Sequence, residues 1–226
     1  IRELISKVFM GEKTFVIPEV AAEIEDLEHF ISQAISYRQN RMESKKNKQE
    51  MSSIDYNLGV LSGLVREILA VSKSPPVDME NEDFKKIYDV SSLVARQKMI
   101  KDSGDFDFPI YKDTDEKLVA HALYSSLIDG KRAGVLTGDS DIERIMIYSY
   151  RMLTSPDMYD YKHKILERFE KSPVSIYLSQ RNGNSRVLST ENLIPSNVPS
   201  LPGMDRKTVY KITCGIRKTI SALSVF

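Results

Sequence analysis

The chain has 226 residues, 41% of them hydrophobic, and its 32 Lys and Arg balance 32 Asp and Glu, which is typical of one large globular domain. A single cysteine excludes an internal disulfide framework and a multi-cysteine zinc site, and no apolar run approaches the roughly 20 residues that span a bilayer. Because the first residues also lack a signal-peptide pattern, we expect a cytoplasmic protein that does not contact a membrane.

The first half of the chain predicts one short strand followed by helices. Residues 13–17 end in Phe-Val-Ile, which favours a strand, and Pro18 suits the first turn of a helix over about 19–37. Residues 37–53 are polar and rich in lysine, which predicts an exposed helix end and a loop. Helical spacing of apolar residues then predicts two helices, at 57–71 and 81–100. A short extended piece is predicted at 105–111.

The second half predicts helices that alternate with short apolar strands. The predicted helices cover 113–130, 140–153 and 156–171, and the predicted strands cover 133–137, 174–180 and 186–190. Asn182-Gly183 is a hairpin-turn signal between the last two strands, and 204–223 is predicted to be a basic helix. This alternation favours an α/β fold with a mainly parallel sheet, in which ligands bind beyond the carboxyl ends of the strands.

Several carboxylates are predicted near that edge of the sheet. At 100° per residue, Glu23, Asp115 and Asp141 each project towards the apolar side of a helix near its N-terminus, and Asp139 follows the strand at 133–137. Each acid also has a structural explanation, since acids in a first turn cap amides and complement the helix dipole, and Ser140 to Glu143 is a capping-box pattern. Capping does not require an acid to face the core, however, so several inward carboxylates favour a cation bound between them.

The nature of the cation follows from the ligand atoms. A set of carboxylate oxygens without cysteine or histidine favours Mg²⁺ or Mn²⁺ over zinc, and the histidines at 29, 121 and 163 do not form a site. A water bound to such an ion becomes more acidic and can attack a phosphodiester. The sequence therefore favours a metal-dependent reaction on a phosphate ester.

Three motifs carry the predicted site residues: "VIPxVxxEI" from Val16, "DxxLVAxAL" from Asp115 and "VLTGDSDI" from Val135. Their order and composition resemble those of PIN-domain nucleases, a family of toxin ribonucleases, RNA-processing enzymes and, more distantly, flap endonucleases. The resemblance implies a three-layer α/β/α sandwich with a central, mainly parallel sheet. It also implies that one or two Mg²⁺ or Mn²⁺ ions support hydrolysis of single-stranded or structured RNA. The residues carried over as catalytic or metal-binding are Glu23, Asp115, Asp139 and Asp141, with Thr137 as a positioning residue.

The chain departs from the family pattern in two places. The family's first strand ends in an Asp that nothing upstream of Glu19 provides, so we predict a strand with this Asp before Ile1 and make ribonuclease activity conditional on it. The second departure is length, because residues 37–110 and the residues after Pro173 exceed what compact family members need. We therefore predict a PIN-like domain at 1–170 with a helical insertion at about 37–110, followed by a C-terminal hairpin-plus-helix extension at 171–226.

The predicted extension is basic. It contains eight Lys and Arg but only two acidic residues, which leaves the first 170 residues with a net charge of minus six. Five of its basic residues lie near Tyr210 in the last predicted helix and are predicted to bind RNA: Arg206, Lys207, Lys211, Arg217 and Lys218. Alternative functions are a catalytically degenerate PIN scaffold that binds RNA or protein, and a DNA-directed nuclease. A homo-oligomer or a regulatory protein partner also stays open.

Overall fold

A computed structural model of the chain describes residues 15–42, 48–71, 75, 77–103, 113–155, 159–179 and 185–194. The chain divides into two compact units, Ile1–Pro76 and Val77–Phe226, each with its own helices and packing. Among the residues in the described ranges, no helix has both the length and the apolar character that a membrane span requires.

The first unit contains a pair of packed helices, α1 (Pro18–Met42) and α2 (Lys48–Val71). Ile31 of α1 and Val65 of α2 are among the buried residues of this unit. Arg66 Nε lies 2.7 Å from Glu28 Oε1, and this ion pair joins the two helices. The helices extend further than predicted, because most of the loop expected at 37–53 is helical on both sides of the undescribed residues 43–47.

The strand predicted at 13–17 is wrong for residues 15–17, which form no strand, while 13 and 14 lie outside the described residues. Val16 and Ile17 are buried, so the apolar pattern marked packing rather than pairing with another strand. The carbonyl oxygen of Ile17 accepts a hydrogen bond from Ala21 N at 2.9 Å. The backbone of this segment therefore leads directly into α1, with Pro18 in the first turn as predicted.

The second unit contains four helices and three strands among its described residues. In chain order they are α3 (Glu82–Ser103), α4 (Thr114–Leu127), β1 (Ala133–Thr137), α5 (Ser140–Leu153), α6 (Tyr159–Lys171), β2 (Val174–Ser179) and β3 (Ser185–Ser189), with a 3₁₀ turn at Thr190–Asn192. The predicted helices and strands of this region are confirmed, with ends that differ by a few residues. The predicted extended piece at 105–111, the turn at Asn182-Gly183 and the basic helix at 204–223 lie outside the described residues.

The three strands form one small mixed sheet in the order β1-β2-β3. β1 pairs with β2 in parallel, and β2 pairs with β3 antiparallel. The predicted α/β class is therefore confirmed, with a sheet that is parallel in one of its two pairings. β2 and β3 belong to the same sheet as β1, so the first part of the predicted extension is continuous with this fold.

The core of the second unit lies between one face of the sheet and its helices. Val135 and Ile176 project from this face into a cluster with buried residues of α3, α4, α5 and α6. Tyr150 and Phe169, from α5 and α6, pack with ring centroids 5.2 Å apart. On the opposite face Val187 is exposed, so the described helices cover one side of the sheet.

Hydrogen bonds at the amino edge of the sheet fix the direction of α4. Ser126 Oγ, near the end of α4, donates to Ser172 O at 2.5 Å, and Ser172 Oγ donates to Gly130 O at 2.7 Å. With 14 residues α4 is about 21 Å long, and β1, with five residues, is about 16 Å long, so α4 is long enough to reach from one edge of the sheet to the other. Since α4 packs against β1 with its end at the amino edge, its N-terminus points to the carboxyl edge. The N-terminus of α5 lies there too, three residues after β1.

Candidate metal site at the carboxyl edge of the sheet

A tight turn joins β1 to α5 and carries three of the predicted site residues, Thr137, Asp139 and Asp141. The backbone N–H of Asp139 donates to Thr137 Oγ1 at 2.9 Å, and the N–H of Asp141 donates to Asp139 Oδ1 at 2.8 Å. Asp139 has extended backbone angles and is the N-cap of α5. Because Asp139 is exposed and the cap uses one carboxylate oxygen, its other oxygen can approach a ligand from solution.

Asp141 is half-buried and lies at the second position of α5. Its Oδ1 is 3.9 Å from Arg144 Nη1, an ion pair too exposed to hold the carboxylate strongly. The predicted capping box is wrong in its first member, because the side chain that caps α5 belongs to Asp139 and not to Ser140. Its last member, Glu143, forms an ion pair with Arg186 instead.

The acid that α4 buries is not the predicted one. Asp115 is half-buried, whereas the next residue, Glu116, is only 2% exposed. α4 packs against α3 as well as against the sheet, and Ser91 Oγ of α3 donates to Glu116 O at 3.0 Å. The prediction assumed that α4 has one buried face, and it therefore chose Asp115 as the inward acid instead of Glu116. Burial raises the pKa of Glu116, although Arg96 and Lys117 oppose this effect.

Asp113, which was not among the predicted site residues, lies just before α4. Asp113 Oδ2 accepts a hydrogen bond from Tyr88 Oη at 2.8 Å, and its Oδ1 is 3.2 Å from Lys117 Nζ. Its side chain makes no cap hydrogen bond to α4. Desolvation opposes ionisation of Asp113, but the hydrogen bonds from Tyr88 and Lys117 outweigh it and lower its pKa. Asp113 therefore adds a stable negative charge beside Asp115.

The helical spacing predicted that Glu23 projects to a buried side of α1. This prediction is wrong. Glu23 is exposed, and Phe30, which was assigned to the same apolar arc, is 67% exposed. Ile31 is buried, so the described structure covers a narrower face of α1 than the predicted arc. Glu23 also belongs to the first unit, whereas the other three predicted acids belong to the second. Its approach to them remains a prediction.

The structure supports part of the predicted site geometry. Asp139 and Asp141 share one turn, and the direction of α4 places the N-terminal turn with Asp115 towards the same edge of the sheet. Within the described ranges, no three Asp, Glu, His or Cys side chains form a group that could hold one metal ion. The complete metal site therefore remains a prediction. The five predicted RNA-binding residues of the last 25 positions lie outside the described residues.

One further pair of charges was not predicted. Arg186 of β3 and Glu143 of α5 form an ion pair across 43 positions of sequence. The local sequence patterns used for helices, strands and caps contain no signal for such a distant contact.

Comparisons with protein-family models, with curated proteins and with solved structures found no match to this chain. The similarity to PIN domains therefore rests on the three motifs. The β1–α5 turn carries the residues of the third motif, and its geometry is the structural observation that relates to the metal binding implied by these motifs.

Proposed function

We propose that the protein is a Mg²⁺- or Mn²⁺-dependent endoribonuclease with a PIN-like α/β/α sandwich, of which the described helices and sheet form a part. The observation that supports this proposal is the turn from Thr137 to Asp141, in which the exposed residue Asp139 uses one carboxylate oxygen to cap α5 at the carboxyl edge. In α/β sheets this edge is the usual place for a ligand.

The chemistry of the acids fits a hard cation. Asp115, Asp139 and Asp141 offer carboxylate oxygens without a soft ligand, which is the ligand set that Mg²⁺ and Mn²⁺ prefer. Asp139 and Asp115 are the proposed direct ligands, and Asp141 is an additional ligand. The ion, when bound, supplies an acidic water that attacks the phosphodiester. Thr137 holds the turn so that the Asp139 carboxylate keeps its position.

The test is cleavage of fluorescent single-stranded RNA by the full-length natural protein. We expect cleavage that requires Mg²⁺ or Mn²⁺, stops in chelator and falls at least about 100-fold in Asp139→Asn, the scale of losing one electrostatic contact to a transition state. Asp129→Asn is the matched control, because Asp129 lies in the loop at the opposite end of α4, where its carboxylate is paired with Lys131 at the surface. Cleavage that survives chelator, or that is equal in Asp139→Asn and the wild type, would contradict this mechanism.

A second candidate is a degenerate PIN scaffold that binds RNA without cleaving it. It is favoured by the absence of a group of three metal-ligating side chains within the described ranges. RNA binding with no cleavage in either metal would support this alternative. Cleavage of a DNA oligonucleotide in preference to RNA of the same sequence would instead support a DNA-directed nuclease.

A further inference from the structure

Arg186 lies at the same edge of the sheet as the acidic turn. Thr137 of β1 pairs with Leu178 of β2, and Leu178 pairs with Arg186 of β3. These three residues therefore form one row across the sheet, and the side chains of such a row project to the same face. Since neighbouring strands are about 4.8 Å apart, the Cα atoms of Thr137 and Arg186 are separated by roughly 10 Å.

Glu143 connects this arginine to the helix that Asp139 caps. Arg186 Nη2 donates a hydrogen bond to Glu143 Oε2, and Glu143 lies one turn into α5. The Glu143 side chain is 13% exposed, whereas that of Arg186 is 55% exposed. The Glu143 side chain is therefore mostly covered, and more than half of the Arg186 side chain is open to solution beside the acidic turn.

The charges at this edge explain why such an arginine would matter. A site made of carboxylates repels a polyanion, and a nearby cation offsets this repulsion. A guanidinium has five N–H donors in a planar fork that matches two phosphate oxygens. The contact with Glu143 occupies one nitrogen of the fork, so the exposed remainder can bind a phosphate. Because the pair is more than half exposed on the arginine side, we expect it to contribute little to stability.

We propose that Arg186 binds an RNA phosphate next to the carboxylate site, and that Glu143 positions its guanidinium. This inference rests on the proposed function, since it assigns the substrate-binding residue of the same site. It differs from the predicted contacts of the C-terminal basic residues because it places a phosphate at the sheet edge, beside the reacting bond.

The test is the affinity for a fluorescent single-stranded RNA of about 12 nucleotides, measured by anisotropy without cleavage, in chelator and again with Ca²⁺. In Arg186→Ala we expect Kd to rise about 10-fold and the slope of log Kd against log salt to fall by about one, as for one lost phosphate contact. Arg186→Lys should recover part of the affinity, because lysine keeps the charge but not the fork. Glu143→Gln should change Kd less than about 3-fold, because its amide oxygen still accepts from the guanidinium.

Arg132→Ala is the matched control, since Arg132 is exposed and directly precedes β1 at the amino edge of the sheet. The inference would be overturned by an unchanged Kd in Arg186→Ala, or by an equal loss of RNA affinity in Arg132→Ala. It would also be overturned if Glu143→Gln and Arg186→Ala lost RNA affinity equally and their Tm values fell equally. RNA binding that depends on Arg186 without any cleavage in Mg²⁺ would refute the nuclease and keep the inference. Normal metal-dependent cleavage with an unchanged Kd in Arg186→Ala would refute the inference alone.

Discussion

Asp139 Oδ1 accepts a hydrogen bond from the backbone N–H of Asp141 at 2.8 Å, so one carboxylate of the proposed metal site is also the N-cap of α5. The cap fixes the orientation of the Asp139 side chain. It also means that replacing Asp139 can affect both the stability of the fold and the chemistry of the site. Suitable substitutions separate these two roles.

Asp139→Asn should preserve stability and abolish the proposed activity. Asn is as good an N-cap as Asp but lacks the negative charge that a cation requires, so the free energy of unfolding should change by less than about 0.5 kcal/mol. Asp139→Ala loses both roles and should lower the free energy of unfolding by about 1 kcal/mol. Urea denaturation of the two variants beside the wild type measures this difference. Equal destabilisation by Asn and Ala would contradict the capping role.

Glu116→Gln should stabilise the protein at neutral pH. Burial raises the pKa of Glu116 above its ordinary value of 4.5, so its favourable contribution is complete below that value and is lost as pH rises through the folded-state pKa. A glutamine does not ionise and avoids this loss. The variant should therefore have the higher free energy of unfolding at pH 7, by about 1 kcal/mol, and the difference should shrink towards pH 4.

The control for Glu116 is Glu170→Gln, which changes an exposed acid of α6. Its free energy of unfolding should match that of the wild type at both pH values. If Glu116→Gln were less stable than the wild type at pH 7, Glu116 would have a favourable ionised partner, contrary to the present assignment.

Tyr88→Phe should weaken the junction between α3 and α4. The hydroxyl donates to Asp113, and a hydrogen bond to a charged group is worth about 1.5–3 kcal/mol, so we expect a loss near the lower end at this half-buried position. Burial, followed by the contact with Asp113, raises the pKa of Tyr88 to about 12. This stabilisation is present below pH 10 and is lost as pH rises from 10 to 12.

Urea denaturation from about pH 3 to pH 12 tests the role of Tyr88. The stability difference between the wild type and Tyr88→Phe should narrow above pH 10. It should also narrow in acid, because the pKa of Asp113 is lowered and its contribution is lost as pH falls below the ordinary value. Tyr177→Phe, on the open face of the sheet, is the control. A constant difference across the whole range would contradict the assigned hydrogen bond.

Local patterns predicted the elements of the second unit well. β1, β2 and the starts of α4 and α5 follow from periodicity and from turn residues, which act over a few positions. The same rules failed at residues 15–17, where the β-branched Val16 and Ile17 are buried without forming a strand. Short apolar runs are ambiguous in this way because burial and strand pairing favour the same residues.

The candidate site was predictable where neighbours in sequence are neighbours in space. The turn that contains Thr137 and Asp139 could be located from its motif. The choice between Asp115 and Glu116 could not, because it depends on how α3 covers α4 from a second side. The contacts of Tyr88 with Asp113 and of Glu143 with Arg186 span 25 and 43 positions, and no local pattern encodes them.

Mn²⁺ should raise the unfolding temperature of the full-length natural protein if the proposed site binds it. A ligand that binds only the folded state stabilises it by about 2.7 kcal/mol at 100 times its Kd, so Tm should increase steadily with metal concentration. Asp139→Asn keeps the helix cap but should lose this increase, because the variant lacks a proposed direct ligand. Asp129→Asn should retain it, since Asp129 lies in the loop at the opposite end of α4. Differential scanning fluorimetry in a metal-free buffer with added Mn²⁺ makes the measurement. If Mn²⁺ raised the Tm of Asp139→Asn as much as that of the wild type, the ion would bind at another site. If Mn²⁺ did not raise the Tm of the wild type, the proposed metal site at the carboxyl edge would be contradicted.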